Sequence, residues 1–172
     1  EMWLADNASS DGSLAMAKAL FPSAFLMANE RNIGLAAAWN RLWLLAKGSY
    51  LLFLNPDVRL APGSVAELHR ALAAHPRAAA VGPLLRRLDS QVDFQGARRF
   101  PTLWGEFCDK SGLLHRFPRH PVLASYWLGG WNHLTARCVP VLFGAALLVR
   151  RDDLAAVGGF DERFFLYGEE TD

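Results

Sequence analysis

Asn55 and Asp57, separated by a single proline, are the pair of side chains in this sequence most able to do chemistry. They directly follow the apolar run Tyr50-Leu51-Leu52-Phe53-Leu54, bounded by Gly48-Ser49 before and Pro56 after, which reads as a short buried strand. A carboxylate at the carboxyl end of such a strand lies where α/β sheets bind ligands. Two hard oxygen side chains there suit a divalent cation that also holds phosphates. These residues therefore predict a metal-dependent enzyme acting on a nucleotide diphosphate. The alternative is a plain Asn-Pro-Asp loop turn.

The elements around that pair alternate. Met2 to Ala5 reads as a strand, and Ser10 or Asp11 can cap a helix running to about Leu20. Ala24 to Ala28 reads as a second strand. Leu35, Ala38, Leu42, Leu45 and Ala46 recur at helical spacing up to Gly48. Ser64-Val65-Ala66-Glu67 has the form of a capping box opening a helix to about His75, ended by Pro76. Ala78 to Leu85 reads as a strand. Residues 86–138 are weakly periodic, rich in aromatics and proline, and read as a long excursion with short helices. Leu142 to Val149 returns to a core strand, and Asp152 to Val157 to a short helix ended by Gly158-Gly159. Strands alternating with helices predict a largely parallel sheet.

Composition narrows the classes. With 172 residues, 52% hydrophobic and 20% charged, the chain is globular and expected to form one domain. A formal net charge of +1 gives no basis for nucleic-acid binding. The pairs Arg86-Arg87, Arg98-Arg99 and Arg150-Arg151 are solvated loop ends or contacts for phosphate or lipid headgroups. Two cysteines, Cys108 and Cys138, are too few for a disulfide scaffold, and with His115, His120 and His133 they make no zinc spacing. No Gly-x-x-x-x-Gly-Lys-Ser/Thr loop and no Gly-x-Gly-x-x-Gly fingerprint occurs, which argues against kinases and dehydrogenases. The longest apolar stretch, Val139 to Val149, is too short to cross a bilayer. Both ends of the chain look cut.

Four segments, in order, carry a resemblance. They are Asp6-Asn7-Ala8-Ser9-Ser10-Asp11-Gly12-Ser13, Asn32-Ile33-Gly34 running to Trp39-Asn40, Leu54-Asn55-Pro56-Asp57, and Gly158-Gly159-Phe160-Asp161-Glu162 running into Phe164 to Asp172. Together they resemble a family 2 glycosyltransferase, in its bacterial rhamnosyltransferase-like branch. The resemblance implies an α/β fold of the GT-A type: a mostly parallel central sheet flanked by helices, with the first strand missing from this chain. It also implies a single domain over 1–172, with a nucleotide-sugar-binding half at 1–85 and an acceptor-side half at 86–172. A segment lacking that strand is expected to be poorly stable and inactive by itself.

The resemblance assigns roles residue by residue. Asp6, Asn32, Gly34, Asn40 and Asn55 fall at nucleotide-sugar-binding positions, and Asp57 at the position that binds Mg²⁺ or Mn²⁺. Glu170 stands where the family's catalytic aspartate stands, with Glu169 and Asp172 beside it as alternative bases. Gly144 and Ala145 fall on the acceptor side of the cleft. Read from the residues alone, Asp6 can equally build an Asx turn, Asn40 can bond a neighbouring turn, and Glu169 to Asp172 can be the acidic first turn of a helix. Trp104, Trp127 and Trp131 stack on sugars or fill core.

The implied activity is inverting transfer of a sugar from a nucleotide-diphosphate donor, dTDP-rhamnose favoured by the branch. The acceptor is a glycan or lipid-linked glycan in cell-surface polysaccharide synthesis. The implied location is cytoplasmic, with peripheral contact at the inner face of the plasma membrane. A catalytically silent sugar-nucleotide or glycan-binding module, and a sugar-nucleotide nucleotidyltransferase, are the competing readings. The latter would want a Gly-rich, basic first turn, which the chain lacks.

Overall fold

The computed structural model describes residues 1–172. In chain order the elements are β1 (Trp3–Asp6), α1 (Ser13–Leu20), β2 (Phe25–Ala28), α2 (Leu35–Leu45), β3 (Tyr50–Leu54), α3 (Ser64–Ala74) and β4 (Ala80–Val81). There follow a 3₁₀ turn (Phe94–Gly96), β5 (Ala97–Arg98), α4 (Leu103–Lys110), α5 (Leu113–Arg116), β6 (Val141–Leu142), β7 (Ala146–Arg150) and α6 (Arg151–Val157). The result is the expected mixed α/β arrangement, and its strands form three sheets. β1 pairs parallel with β2, with Trp3 opposite Phe25 and Asp6 opposite Ala28. Parallel neighbours need a crossover, which α1 supplies. β3, β7 and β4 lie side by side in that order, and β5 pairs antiparallel with β6.

The chain divides into two compact units, residues 1–51 with 149–170 and 172, and residues 52–148 with 171. These units do not coincide with the halves 1–85 and 86–172. In the first, the Trp3 and Phe25 rings stack across the β1–β2 pair with centroids 4.4 Å apart. Trp39 of α2 packs on Phe160 at 5.1 Å. The Arg151 guanidinium donates to the Trp43 carbonyl at 3.2 and 3.3 Å and lies over the Trp43 ring, which fastens the start of α6 to the end of α2. In the second unit, Phe53, Leu68, Leu72, Val141 and residues 145–148 are buried. Cys108, Leu114 and Ala124 form a cluster under Leu113, Leu123, Tyr126 and Trp127.

Several local expectations shift. The Ser64–Glu67 capping box does not form, because Gly63 occupies the cap with φ 82° and Ser64 is already helical. Glu67 pairs with Arg70 instead. At α1 the cap residue is Gly12, and the Asp11 carboxylate accepts from the Ser13 amide at 3.0 Å and its hydroxyl at 2.6 Å. The strand expected over 78–85 contracts to Ala80–Val81: the Ala78 amide is turned back onto the His75 carbonyl, and Pro83 has no N–H for a ladder. The strand expected over 142–149 is split by Phe143-Gly144-Ala145 into β6 and β7, since the Phe143 amide bonds the Gly96 carbonyl in the β5 ladder's extension. No helix is long and apolar enough to cross a membrane.

Candidate active site

The carboxyl ends of β1 and β2 lie side by side and deliver Asp6, Asn7 and Asn29 to one edge. Asp6 and Asn29 are buried. Asn29 Nδ2 donates to Asn7 Oδ1 at 2.8 Å, Asn7 Nδ2 donates to the Gly34 carbonyl at 3.1 Å, and Arg41 Nη1 donates to Asn29 Oδ1 at 2.8 Å. Asp6 Oδ2 accepts from the Ser9 amide at 3.2 Å, so the turn expected of this carboxylate is present. That bond engages one oxygen of two, and a carboxylate has lone pairs to spare for a ligand N–H or hydroxyl. Asn7, Asn29 and Arg41 were not singled out from the sequence. Asn7 and Asn29 had one signal, a polar residue immediately after each apolar strand, and Arg41, within α2, had none.

The turn before α2 is shaped by Asn32 and Gly34. The Gly34 amide donates to Asn32 Oδ1 at 2.9 Å, an Asx turn that sends the chain into the helix. Gly34 has φ 87°, and a Cβ there would stand 2.7 Å from the Phe165 carbonyl oxygen. That same carbonyl accepts from the Leu35 amide at 2.9 Å. Glycine is needed here because the backbone of the Phe164–Tyr167 segment presses against it.

Asn40 bonds a turn 120 residues further along. Its Nδ2 donates to the Phe160 carbonyl at 2.8 Å and to Glu162 Oε1 at 3.0 Å. Its Oδ1 accepts from the Phe160 amide at 2.9 Å and from Trp43 Nε1 at 3.1 Å. Two donors and two acceptors are all an amide side chain has, and this chain uses every one. Gly159, with φ 89°, makes room: a Cβ there would lie 2.6 Å from Asn40 Oδ1. Asn40 thus holds the Gly159–Glu162 turn. The Asp161 carboxyl beyond it is held below its usual range by hydrogen bonds from the Arg163 side chain.

The segment after that turn carries the acidic end. Tyr167 and Gly168 are consecutive residues of positive φ, and the Asp172 amide closes back on the Gly168 carbonyl at 3.2 Å. Glu169 to Asp172 therefore form one turn, closed by a bond of the spacing that a helical turn uses. Glu169 is buried, Glu170 half-buried and Asp172 exposed. One carboxylate oxygen of Glu169 and one of Glu170 are out of solvent.

The second unit carries the Asn-Pro-Asp turn. The Asn55 amide donates to the Ala145 carbonyl at 2.9 Å, and its own carbonyl accepts from the Val58 amide. Ala145, which with Gly144 was expected on the acceptor side, is thereby joined to the Asn55–Asp57 turn, and both Gly144 and Ala145 are buried. Asp57 is exposed at the tip of the turn. No three His, Cys, Asp or Glu side chains gather into a cage. A cation of the Mg²⁺ type needs none: one or two carboxylates suffice when substrate phosphates and water complete the shell. An outward carboxylate on a turn held by backbone bonds fits that demand. In the same unit Arg98 Nη2 donates to Thr171 Oγ1 at 2.9 Å, a further contact the sequence did not announce. Of the tryptophans, Trp104 is exposed and stacks on Phe107, Trp127 lies against the Cys108 cluster, and Trp131 stacks on His133 at 4.0 Å.

Comparisons with known proteins identify the family and the fold. The profile described as Glycosyl transferase family 2 matches residues 1–131. An N-acetylglucosaminyl-diphospho-decaprenol L-rhamnosyltransferase of Mycobacterium tuberculosis is 34% identical over 98% of this chain and 58% of its own length, in two strains. The O-antigen biosynthesis protein RfbC of Myxococcus xanthus is 28% identical over 74% of this chain and 9% of its own. The chain thus spans just under three-fifths of the mycobacterial relative. In fold it is similar to the mannosyltransferase PcManGT of Pyrobaculum calidifontis, solved with GDP-Man and Mn²⁺, at TM-score 0.60 and 21% identity over 94% of this chain and 38% of that one. The architecture is that of a GT-A glycosyltransferase, and the chain belongs to glycosyl transferase family 2.

Proposed function

We propose that this chain carries the donor site and the reacting carboxylates of an inverting sugar transferase. It would move a sugar, rhamnose in the first instance, from a nucleotide-diphosphate donor such as dTDP-rhamnose to a lipid-linked glycan. The observation that carries the reading is the Asn55–Asp57 turn: an outward carboxylate just past the carboxyl end of β3, on a turn whose Asn55 backbone amide donates to the Ala145 carbonyl, in a chain of this family. The mycobacterial relative's name supports rhamnose and a diphosphate-linked N-acetylglucosamine on a polyprenol.

In this reading Asp6 accepts from the base or ribose of the donor, beside the Asn7–Asn29–Arg41 network and the Asn32–Gly34 turn. Asp57, aided by Asn55, would hold Mg²⁺ or Mn²⁺, a Lewis acid for the diphosphate. Glu170 takes the proton from the acceptor hydroxyl, with Glu169 and Asp172 as the neighbouring carboxylates. The acceptor oxygen bonds the anomeric carbon from the face opposite the diphosphate. The old carbon–oxygen bond breaks, and its electron pair leaves with the nucleotide. One displacement inverts the configuration. Gly144 and Ala145 leave room for the acceptor, and Asn40 is a positioning residue for the 159–162 turn. The acceptor is met at the inner face of the plasma membrane.

The test is release of dTDP from dTDP-rhamnose by the whole protein with a polyprenyl-diphosphate-linked N-acetylglucosamine, with and without Mn²⁺. We expect metal-dependent release and an inverted anomeric signal in the product. Tight donor binding without turnover would overturn the reading in favour of a silent binding module.

A further inference from the structure

Residues between 91 and 134 line a cavity of about 520 Å³ that the transfer chemistry leaves unused. That volume lies within the range of small-molecule sites, about 300–1,000 Å³. Phe94, Trp131 and Leu134 give the cavity an apolar wall, and Gln91, Arg119 and Asn132 give it polar side chains. None of its lining residues is acidic. The Gln91 side-chain amide and the Arg119 guanidinium are bonded to no other group of the chain. Asn132 engages Oδ1 with the Leu134 amide at 3.0 Å and keeps its N–H groups. The polar side is therefore rich in donors: a guanidinium and two amide NH₂ groups against the one free carbonyl of Gln91. Its complement is a ligand rich in acceptors and negative in charge.

A buried group behind the wall also lacks a partner. His133 is 8% exposed, its ring stacks on Trp131 with centroids 4.0 Å apart, and it meets the Phe94 ring edge-on at 5.2 Å. One ring nitrogen donates to the Trp127 backbone, while Nε2 is out of solvent with no hydrogen bond. With the proton on the bonded nitrogen, Nε2 is an acceptor that wants an O–H or N–H. A buried acceptor left without a donor is costly. The loop that carries it is held stiffly. The Gly129 amide donates to the Ala124 carbonyl at 2.8 Å, and a Cβ on Gly129 would stand 2.6 Å from the His120 carbonyl oxygen. Leu128 and His133 both have positive φ, a conformation that gathers at ligand clamps. The Arg137 guanidinium lies over the Trp131 ring, 5.8 Å from its centroid, and adds a second positive charge on this side.

We infer that this cavity is a binding subsite for a phosphorylated sugar, with Arg119 and the Asn132 amide on the phosphate oxygens, Gln91 on the sugar hydroxyls, and the Phe94, Trp131 and Leu134 wall against the C–H face of the ring. A neutral glycan makes no use of the guanidinium, and a bare phosphate makes no use of the apolar wall. A sugar hydroxyl is also the donor that His133 Nε2 lacks. The inference deepens the transferase reading and rests on it for the identity of the sugar: the acceptor proposed there begins with a diphosphate-linked N-acetylglucosamine, and the cavity would hold that sugar and its phosphate.

The experiment titrates the whole protein with N-acetylglucosamine 1-phosphate, free of sugar nucleotide and metal, and follows tryptophan fluorescence and the nitrogen resonances of the His133 ring. Saturable binding is expected, with N-acetylglucosamine and inorganic phosphate each binding about tenfold more weakly or worse. The His133 Nε2 resonance should shift as it gains a donor. Arg119→Gln should weaken binding by about tenfold or more, and Gln91→Ala by a smaller factor. Both variants should melt with the parent, because both side chains are exposed and unbonded. No saturable binding, binding that both variants retain in full, or inorganic phosphate binding as tightly as the phosphorylated sugar would each overturn the proposal. So would a His133 resonance that stays in place at saturation, since the sugar would then lie elsewhere. Release of dTDP from dTDP-rhamnose scores the transferase reading separately: turnover without binding of the 1-phosphate removes the subsite alone, and binding without turnover removes the transferase alone.

Discussion

Asn40 and Asp57 were read from the sequence as two polar residues of one site, and the structure treats them oppositely. Asn40 is buried, its four hydrogen bonds are all made to this chain, and three of its four partner atoms lie 120 or more residues away. Asp57 is exposed at the tip of a turn that is anchored only through the backbone of Asn55. An amide with every donor and acceptor engaged has nothing left for a ligand, so its contribution is the placement of other residues. An outward carboxylate adds little to stability and keeps its full capacity for a cation. In the proposed function, the difference separates a residue that builds the frame from one that would meet the substrate.

Substitutions should split along the same line. Asp57→Ala is expected to lower turnover by about a thousandfold, the scale of several kcal/mol of charge stabilisation. Its unfolding free energy should stay within about 0.5 kcal/mol of the parent, as for other surface changes. A large drop in urea midpoint would erase the contrast. Glu170→Gln keeps the size of the side chain and removes its basicity. Its kcat should fall by about a hundredfold or more while donor KM holds, and an unchanged kcat would move the base to Glu169 or Asp172.

Asn40→Ala should do the reverse. It leaves the Phe160 amide and the Trp43 indole N–H without their acceptor, and a loss of about 3 kcal/mol is expected in chemical denaturation. Activity at low temperature, where the variant is folded, should suffer less than in Asp57→Ala. If Asn40→Ala is as stable as the parent but cannot bind donor, the frame-building role is wrong.

The smallest effect concerns pH. Burial, opposed by a hydrogen bond to the Trp127 backbone and aided by nearby Arg137, holds the His133 pKa below its ordinary value. The unfolded chain then takes up a proton at a higher pH than the folded one. Stability from the neutral imidazole is present above about pH 6.5 and is lost as pH falls toward the depressed folded value. His133→Asn, tolerable at φ 59°, should show a shallower decline of urea midpoint from pH 7 to 5.5. An identical slope would remove His133 from the balance.

Local signals were legible wherever they depended on near neighbours. Tyr50–Leu54 is a strand with the expected bounds, and the helical spacing of Leu35, Ala38 and Leu42 lies within α2. Where two local preferences compete, legibility drops. Gly63 took the cap that Ser64 could have held, and Pro83 with a turn at Ala78 cut an eight-residue strand to two. The acidic end was visible as composition, but its tight turn rests on two consecutive positive-φ residues at Tyr167 and Gly168 that no periodicity reveals.

The sequence by itself determined the family, the alternation of strands and helices, and the carboxylates at Asp57 and Glu170 available for chemistry. These follow from side-chain type and from contacts within a few residues. Only the tertiary structure decided that Asn40 belongs to the Phe160 turn, that Gly34 must clear the Phe165 carbonyl, that Asn55 is tied to Ala145, and that α4 turns Leu103 and Phe107 outward. Such pairings join residues tens to more than a hundred positions apart. Their partners are chosen by how the elements pack, which satisfies each buried donor and acceptor at once, and no single segment carries that information.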